Sequence, residues 1–367
     1  MAARYLITGG AGFIGRHLCD ELLTAGHEVR VLDSFVPQVH GESGRAPADV
    51  ELLTGDLRDG DLVQRALEGI DGVFHLAAEV GVGQSMYEIE RYVGGNDLAT
   101  AVLLDQIARS PIQRLVVASS MSVYGEGLYE GPDGTRFDAV RRVLREGQRE
   151  WDPRGPGGEA LTPVATAEDK PVDLASIYAL TKYAQERACL IVGGAYGVQT
   201  VALRLFNVFG PGQALSNPYT GVLANFGSRL LNGQPPMIFE DGRQKRDFVH
   251  VRDVATAFGL AMHAPHVDGQ VINIGSGQDY TIETVGRLLA DALGRSDLAP
   301  QILGKARAGD IRHCFADIGR AKEMLGYWPA HRLEDSMEEV VEWLSASQAE
   351  DGGERARRQL EERGLVA

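Results

Sequence analysis

The sequence predicts an α/β protein, a doubly wound parallel sheet followed by a smaller C-terminal α/β domain. Two patterns carry that prediction. Short apolar runs alternate with helical periodicity from residue 5 to residue 118, and repeated βα units of this kind imply a parallel sheet. Beyond Asn207 the chain turns rich in Gly, Pro and Asn and alternates short strands and helices to about Trp343. A length of 367 residues suits two domains better than one.

The elements follow in order. Residues 5–8 form an apolar strand, a glycine cluster follows, and residues 13–25 repeat with helical period up to Gly26. Residues 28–32 read as the next strand, which completes a βαβ unit. A helix over 61–67, a strand over 72–76, a helix over 97–108 and a strand over 114–118 continue the series. A further helix follows Ser176 and a strand covers 200–205. The pattern breaks over about 126–172. There, residues 137–151 read as one charged amphipathic helix and 153–158 as a Pro/Gly loop, an insertion longer than a connection needs. The tail, 349–367, is charged and reads as a surface helix or disordered chain without chemistry of its own.

Composition narrows the function. With 44% hydrophobic and 24% charged residues the chain has the makeup of a soluble globular protein. A formal net charge of -15 argues against nucleic acid as a partner, since phosphate backbones need a basic surface. Cys19, Cys189 and Cys314 lie far apart without C-x-x-C spacing, so we expect reduced thiols, no metal and a cytoplasmic setting. No apolar stretch reaches the length of a membrane span, and Met1-Ala2-Ala3-Arg4 leads straight into the first strand without room for a signal peptide.

Gly10-Ala11-Gly12-Phe13-Ile14-Gly15 fits G-x-G-x-x-G, and Gly9 adds G-x-x-G-x-x-G spacing. Placed between a strand and a helix, these glycines let the backbone turn tightly against a pyrophosphate at the helix N-terminus. Asp33 ends the second strand about 20 residues on, where a carboxylate bonds a ribose diol and repels a 2′-phosphate. This predicts NAD over NADP; Arg16 is the counter-signal, as a guanidinium suited to such a phosphate. Gly55-Asp56-Leu57 and His75-Leu76-Ala77-Ala78 sit at strand ends, where adenine and pyrophosphate are expected.

Tyr178-Ala179-Leu180-Thr181-Lys182 is a Y-x-x-x-K pair, and positions i and i+4 share a helix face. A neighbouring ammonium favours the phenolate, so Tyr178 is expected to have a lowered pKa and to act as a base on a sugar hydroxyl. Ser119-Ser120 follows the preceding strand, and Ser120 is placed to hold the same hydroxyl. His250, inside the apolar run 248–251, reads as a packed structural histidine.

With these residues in hand, the chain resembles the extended short-chain dehydrogenase/reductases, specifically the NAD-dependent nucleotide-sugar epimerase/dehydratase group. The likeness runs from Gly9 to about Pro329 and includes Leu203-Arg204-Leu205-Phe206-Asn207, Arg246-Asp247-Phe248-Val249-His250 and Arg307-Ala308-Gly309-Asp310. Within the group it is similar to the dTDP-L-rhamnose 4-epimerase-like and UDP-sugar 4-epimerase-like branches, on Gly81-Val82-Gly83-Gln84-Ser85-Met86-Tyr87 and the segment after Ser120.

The resemblance implies a Rossmann-type NAD domain over 1–206, with 243–266 returning to it and 207–343 as the nucleotide-sugar domain. It implies that Gly9, Gly12, Phe13, Ile14, Gly15, Asp33, Asp56, Leu57, Leu76, Ala77, Ala78, Asn96, Ser119, Tyr178, Lys182 and Phe206 meet NAD. Ser120, Asn207, Arg246 and Arg307 would meet the sugar nucleotide, Ser120, Tyr178 and Lys182 would catalyse, and the chain would form a homodimer. Related 4,6-dehydratases place acids after the serine, where this chain has Met121 and Ser122. That leaves a nucleotide-sugar 4-epimerase as the expected activity, with a 4-ketoreductase or 4,6-dehydratase as rivals and a non-catalytic NAD-binding protein as a further one. Some relatives carry paired cysteines in the insertion; this chain has Arg154-Gly155-Pro156-Gly157-Gly158 there.

Overall fold

The computed structural model describes residues 2–40, 46–138, 140, 150–214, 221–307, 310–346 and 353–366. Seven parallel strands form the main sheet: β1 (Arg4–Thr8), β2 (Glu28–Asp33), β3 (Glu51–Thr54), β4 (Gly72–His75), β5 (Arg114–Ser120), β6 (Gln199–Leu205) and β7 (Val271–Ile274). Their order is β7-β6-β5-β4-β1-β2-β3, every neighbouring pair parallel. The direction of winding reverses between β1 and β4, which opens a crevice beyond their C-terminal ends.

Two strands of this sheet were given no range by the sequence reading, although Gly55-Asp56-Leu57 was placed at the end of one of them. In β3 the residues are Glu51, Leu52, Leu53 and Thr54, exposed or half-buried as an edge strand is, so no apolar run marks it. The other, β7, falls within the 207–343 segment and closes the opposite edge against β6.

Both faces of the sheet are covered. On one lie α1 (Phe13–Thr24) and, later in the chain, Val251–His263; on the other lie α2 (Gly60–Leu67), α3 (Ala99–Arg109) and α4 (Ile177–Tyr196). Strands buried on both faces must be apolar throughout, and β5 and β6 comply with Leu115, Val116, Val117 and with Val201, Ala202, Leu203. Each fully buried Val or Leu contributes roughly 1.5–3 kcal/mol relative to exposure, so this sheet core dominates stability. The helix expected over 97–108 is preceded by a π-helical turn, Val93–Leu98, which carries Asn96 inward. Ser176 caps α4, its hydroxyl accepting from the Ala179 amide, and Gly197 at φ 73° ends it. A second, smaller core gathers Phe226, Leu230, Phe248, Val285, Leu289, Val340 and Leu344.

Residue 137, expected to begin a helix, lies instead in the strand Arg136–Phe137, paired antiparallel with Leu128–Glu130, which pairs in turn with Thr162–Val164. Most of the rest of that expected helix, 139 and 141–149, lies outside the described residues. The insertion is anchored on the opposite lobe: the buried Arg312 guanidinium meets Asp152 at 2.7 Å, Asp241 at 2.6 Å and Glu240 at 2.9 Å. The tail contains the helix Gly353–Glu362 and is docked: Leu360 is buried, Glu361 pairs with Lys305 at 3.0 Å, and Arg363 stacks 4.4 Å over the Tyr87 ring. Among the described residues all three cysteines are free and buried, no group of His, Cys, Asp and Glu is arranged to hold a metal, and no helix is long and apolar enough to cross a membrane.

Candidate active site

A cleft of about 640 Å³ follows the C-terminal ends of the strands, bordered by the glycine turn after β1, Asp33, Leu76–Ala78, Ser119–Ser122 and Leu205–Asn207. Gly9 sits at φ 73°, and a Cβ there would stand 2.9 Å from the Ala77 backbone, so only glycine lets the turns after β1 and β4 meet. At Gly15 a Cβ would stand 2.5 Å from the Gly9 carbonyl, so α1 needs glycine to settle on the turn. Gly12 is the N-cap of α1 and no side chain caps it, which leaves the first amides, beside Phe13 and Ile14, available to an anion. This cradle fits a dinucleotide pyrophosphate.

Asp33 is buried at the far side of the turn. Its oxygens accept from the Ala11 amide at 3.0 Å and the Phe35 amide at 2.9 Å, and His40 Nε2 lies 3.3 Å away. Burial alone would raise this carboxyl, but the His40, Phe35 and Ala11 hydrogen bonds outweigh it and hold the group below its ordinary value. A carboxylate fixed in the charged state suits a ribose diol. Arg16 donates from Nε to the Ala11 carbonyl at 2.8 Å. Asp56 and Leu57 also border the cleft, the Asp56 carboxylate held by Arg58 at 2.6 Å and lowered chiefly by that bond.

Ser120, Tyr178 and Lys182 converge on the cleft from β5 and α4. Ser120 Oγ accepts from the Ser122 hydroxyl at 2.9 Å and faces the Tyr178 phenol. The expectation of a lowered tyrosine pKa is corrected here. Burial raises the phenol above its usual value, opposed by the Ser120 hydrogen bond. Lys182 Nζ donates to Gln185 Oε1 at 2.9 Å, and burial pulls its ammonium down to about 8 against Glu186 and Asp97. In the resting site the phenol therefore keeps its proton at neutral pH, and the lysine is still charged.

The other expected site residues divide. Phe206 and Asn207 border the cleft, and Asn207 Oδ1 is buried without a hydrogen-bond partner in the protein. Ser119 borders it too, although its hydroxyl turns away and donates to Glu186 at 2.6 Å. Asn96 does not reach the cleft: fully buried, it donates to Thr181 at 2.9 Å and accepts from the Glu79 amide at 2.6 Å, tying α4 to the segment after β4.

Arg246 and Arg307 also lie outside the cleft. Arg246 donates to the carbonyls of Lys245, Ile311 and Arg312, and Arg307 is paired with Asp310 at 3.0 Å above the Phe239 ring. Both groups turn to acceptors of their own lobe, the nearest partners a guanidinium has there. His250 is buried at the start of the helix Val251–His263, accepts from the Arg252 amide and stacks on His331, a packing role.

Sequence reasoning missed a set of buried polar residues behind the cleft. Arg204 on β6 grips Glu186 through Nη2 at 2.7 Å and Nε at 2.9 Å, and its guanidinium lies 4.7 Å over the Tyr124 ring. The signal was present: an arginine in an otherwise apolar strand, and a glutamate one helical turn after Lys182. Asp247 was missed as well. It accepts from the Ser276 and Gly277 amides at 2.7 and 2.8 Å, while burial pushes its carboxyl up to about 6.

Comparison with known proteins gives consistent results. The chain matches the NAD dependent epimerase/dehydratase family over residues 5–143 and 154–275. It is 34% identical over 359 residues to dTDP-L-rhamnose 4-epimerase of Burkholderia thailandensis, covering 93% of this chain and 95% of that protein. The UDP-N-acetylglucosamine 4-epimerase of Methanobrevibacter ruminantium, solved with UDP-N-acetylmuramic acid, superposes with a TM-score of 0.76 at 30% identity, covering 95% of this chain and 99% of that one. The Thermus thermophilus UDP-glucose 4-epimerase, solved with NAD, gives 0.74 at 29% identity over 94% and 100% of the two chains.

Proposed function

Because the chain belongs to the NAD dependent epimerase/dehydratase family, we propose that its cleft binds NAD and a nucleoside-diphosphate sugar, UDP- or dTDP-linked, and inverts the sugar at C4. The observation that carries this reading is the acid–base set of the cleft. A phenol and a hydroxyl, Tyr178 and Ser120, face one another, while Met121 and Ser122 occupy the positions where elimination of water needs carboxylates. NAD, when bound, supplies the acceptor and then the donor of one hydride.

The protein's own part is proton management. Ser120 would hold the C4 hydroxyl, and Tyr178, having released its own proton to solvent once the charged cofactor is bound, would take the hydroxyl proton as the hydride leaves C4 and return it to the same oxygen when the hydride comes back to the opposite face. Hydride and proton both come back, so atoms and electrons balance without a second substrate. The buried, partnerless Asn207 Oδ1 supplies an acceptor for the substrate on the sugar side. Arg246 and Arg307, set back from the cleft, would reach a diphosphate only after leaving their present partners. With Asp33 fixed as a carboxylate, we read the cofactor as NAD, and the cytoplasm, where NAD and sugar nucleotides meet, as the setting.

The test uses purified protein with no added cofactor, incubated in D₂O with UDP-, dTDP-, GDP- and CDP-sugars and followed by proton NMR. A 4-epimer that keeps protium at C4 is expected. A 4-keto-6-deoxy product, or turnover that needs added reduced cofactor, overturns the reading in favour of a dehydratase or ketoreductase. Tyr178→Phe is expected to abolish turnover with NAD binding nearly intact.

Ile89, Val93 and Leu98, with Leu180 and Ile191 on α4, are exposed apolar residues on neighbouring helices. We read this surface as the homodimer contact, with a second copy of the chain as its occupant. Light scattering on a size-exclusion column is expected to give twice 39.6 kDa.

A further inference from the structure

Behind Lys182 runs a line of buried polar side chains that the chemistry above does not use. Lys182 Nζ donates to Gln185 Oε1 at 2.9 Å, Gln185 Nε2 reaches Thr100 Oγ1 at 2.7 Å, Thr100 Oγ1 lies 2.8 Å from His75 Nε2, and His75 Nδ1 lies 2.8 Å from Thr8 Oγ1. Gln185, Thr100, His75 and Thr8 are each at most 1% exposed, and Lys182 is 3% exposed. They come from four elements, α4, α3, β4 and β1, and Thr8 directly precedes Gly9 of the glycine turn.

The lysine's charge fixes the direction of every bond in this line. An ammonium only donates, so Gln185 must present its carbonyl oxygen to Lys182 and its amide nitrogen to Thr100. Thr100 Oγ accepts that hydrogen and has one of its own to give, which goes to His75 Nε2. His75 Nε2 is then the acceptor nitrogen, and Nδ1 carries the proton and donates to Thr8. A doubly protonated imidazole would break the line, and burial, with Lys182 close by, holds His75 down to about 3, so it stays neutral. The other titratable groups that act on the lysine are Cys189 and Glu186 on α4 itself and Asp97 on the π-helical turn before α3.

From this geometry we infer that Gln185 is a positioning residue, which holds the Lys182 ammonium through a one-directional chain of buried hydrogen bonds anchored at the glycine turn. Tyr178, Lys182 and Gln185 fall at i, i+4 and i+7 on one face of α4, so the acceptor that places the lysine rides on the same helix as the catalytic phenol. The role in turnover rests on the epimerase reading; the placement of the lysine does not.

The experiment compares Gln185→Leu with Gln185→Glu in the full chain. The chain has five lysines, so ¹³C NMR of ε-labelled lysine resolves Lys182, with Lys182→Met for assignment. Removing the acceptor in Gln185→Leu is expected to lower the Lys182 pKa further, and the carboxylate in Gln185→Glu to raise it above wild type. The alkaline limb of kcat is expected to move in the same opposed directions. In Gln185→Leu, kcat is expected to fall by roughly ten- to a hundredfold with KM little changed, a share of the range that acid–base groups command. A Lys182 titration that ignores both substitutions overturns the proposal. Because that titration needs no substrate, a failure of the epimerase reading leaves it standing and is told apart by the absence of turnover in the wild type. Loss of folding in Gln185→Leu would leave Gln185→Glu to decide by the direction of its shift alone.

Discussion

Replacing Glu186 by alanine takes away the carboxylate that faces the Arg204 guanidinium in the core. The pair is 0% and 5% exposed, and the two nitrogens of Arg204 that touch Glu186 find it at 2.7 and 2.9 Å, while Arg204 Nη1 has no hydrogen-bond partner in the protein. An uncompensated buried cation costs about 3–5 kcal/mol. The Ser119 hydroxyl, which donates to the same carboxylate at 2.6 Å, also loses its acceptor. The folded-to-unfolded ratio should then fall by on the order of 10²–10⁴, since about 1.4 kcal/mol is a factor of ten. Urea denaturation followed by circular dichroism reads the loss directly. Arg204→Met is expected to cost a similar amount, because it strands the anion instead. The double substitution Glu186→Leu with Arg204→Met should cost clearly less than the sum, as a buried pair exchanged for apolar side chains is often nearly neutral. A single-variant loss below about 1 kcal/mol, or full additivity in the double variant, would refute the argument that burial makes this pair costly to break.

Three further outcomes follow from the same geometry. Gly9→Ala must force a Cβ against the Ala77 backbone at positive φ; the variant should bind added NAD more weakly than wild type in a calorimetric titration, and equal affinity in the two would count against the glycine argument. Burial holds Lys182 down to about 8 when folded against an ordinary lysine value of 10.5, so between those pH values the unfolded chain holds the extra proton and stability should rise with pH; the rise should vanish in Lys182→Met. Although Asp152 keeps its contact with His313 at 3.0 Å, Arg312→Leu removes the guanidinium shared by Asp152, Glu240 and Asp241. Its loss of thermal stability should be larger at pH 7.5 than at pH 5, where carboxylates begin to take up protons, and an equal loss at both would show that Arg312 acts through packing alone.

The sheet was legible wherever burial made the sequence periodic. Strands β1, β2, β4, β5 and β6 are apolar because both their faces are covered, and their helices carry one apolar stripe each. The edges were not legible, because Glu51 and Thr54 of β3 answer to solvent rather than to a core. The cradle at Gly9, Gly12 and Gly15 could be read because it is a local backbone device. Asn96, Arg246 and Arg307 could not be placed from sequence, since each is set by a partner far along the chain: Thr181, the Ile311 and Arg312 carbonyls, and for Arg307 the Phe239 ring beyond neighbouring Asp310. The pKa of Tyr178 was misjudged for the same reason. Spacing brings a lysine near, but only three-dimensional burial decides that the phenol stays protonated and that the ammonium turns to Gln185.

Helix α4 gives the molecule a single point of vulnerability. Along its twenty residues Tyr178 and Lys182 look into the cleft, Glu186 looks to the sheet, and Leu180 and Ile191 look outward to where a second copy would sit. A rod of this kind cannot be shifted on one side without moving the others. On the homodimer proposed above, a substitution at Leu180 or Ile191 meant to separate two copies would therefore register in turnover even with the cleft untouched, and loss of activity in such a variant would be no evidence that the cleft is shared between them.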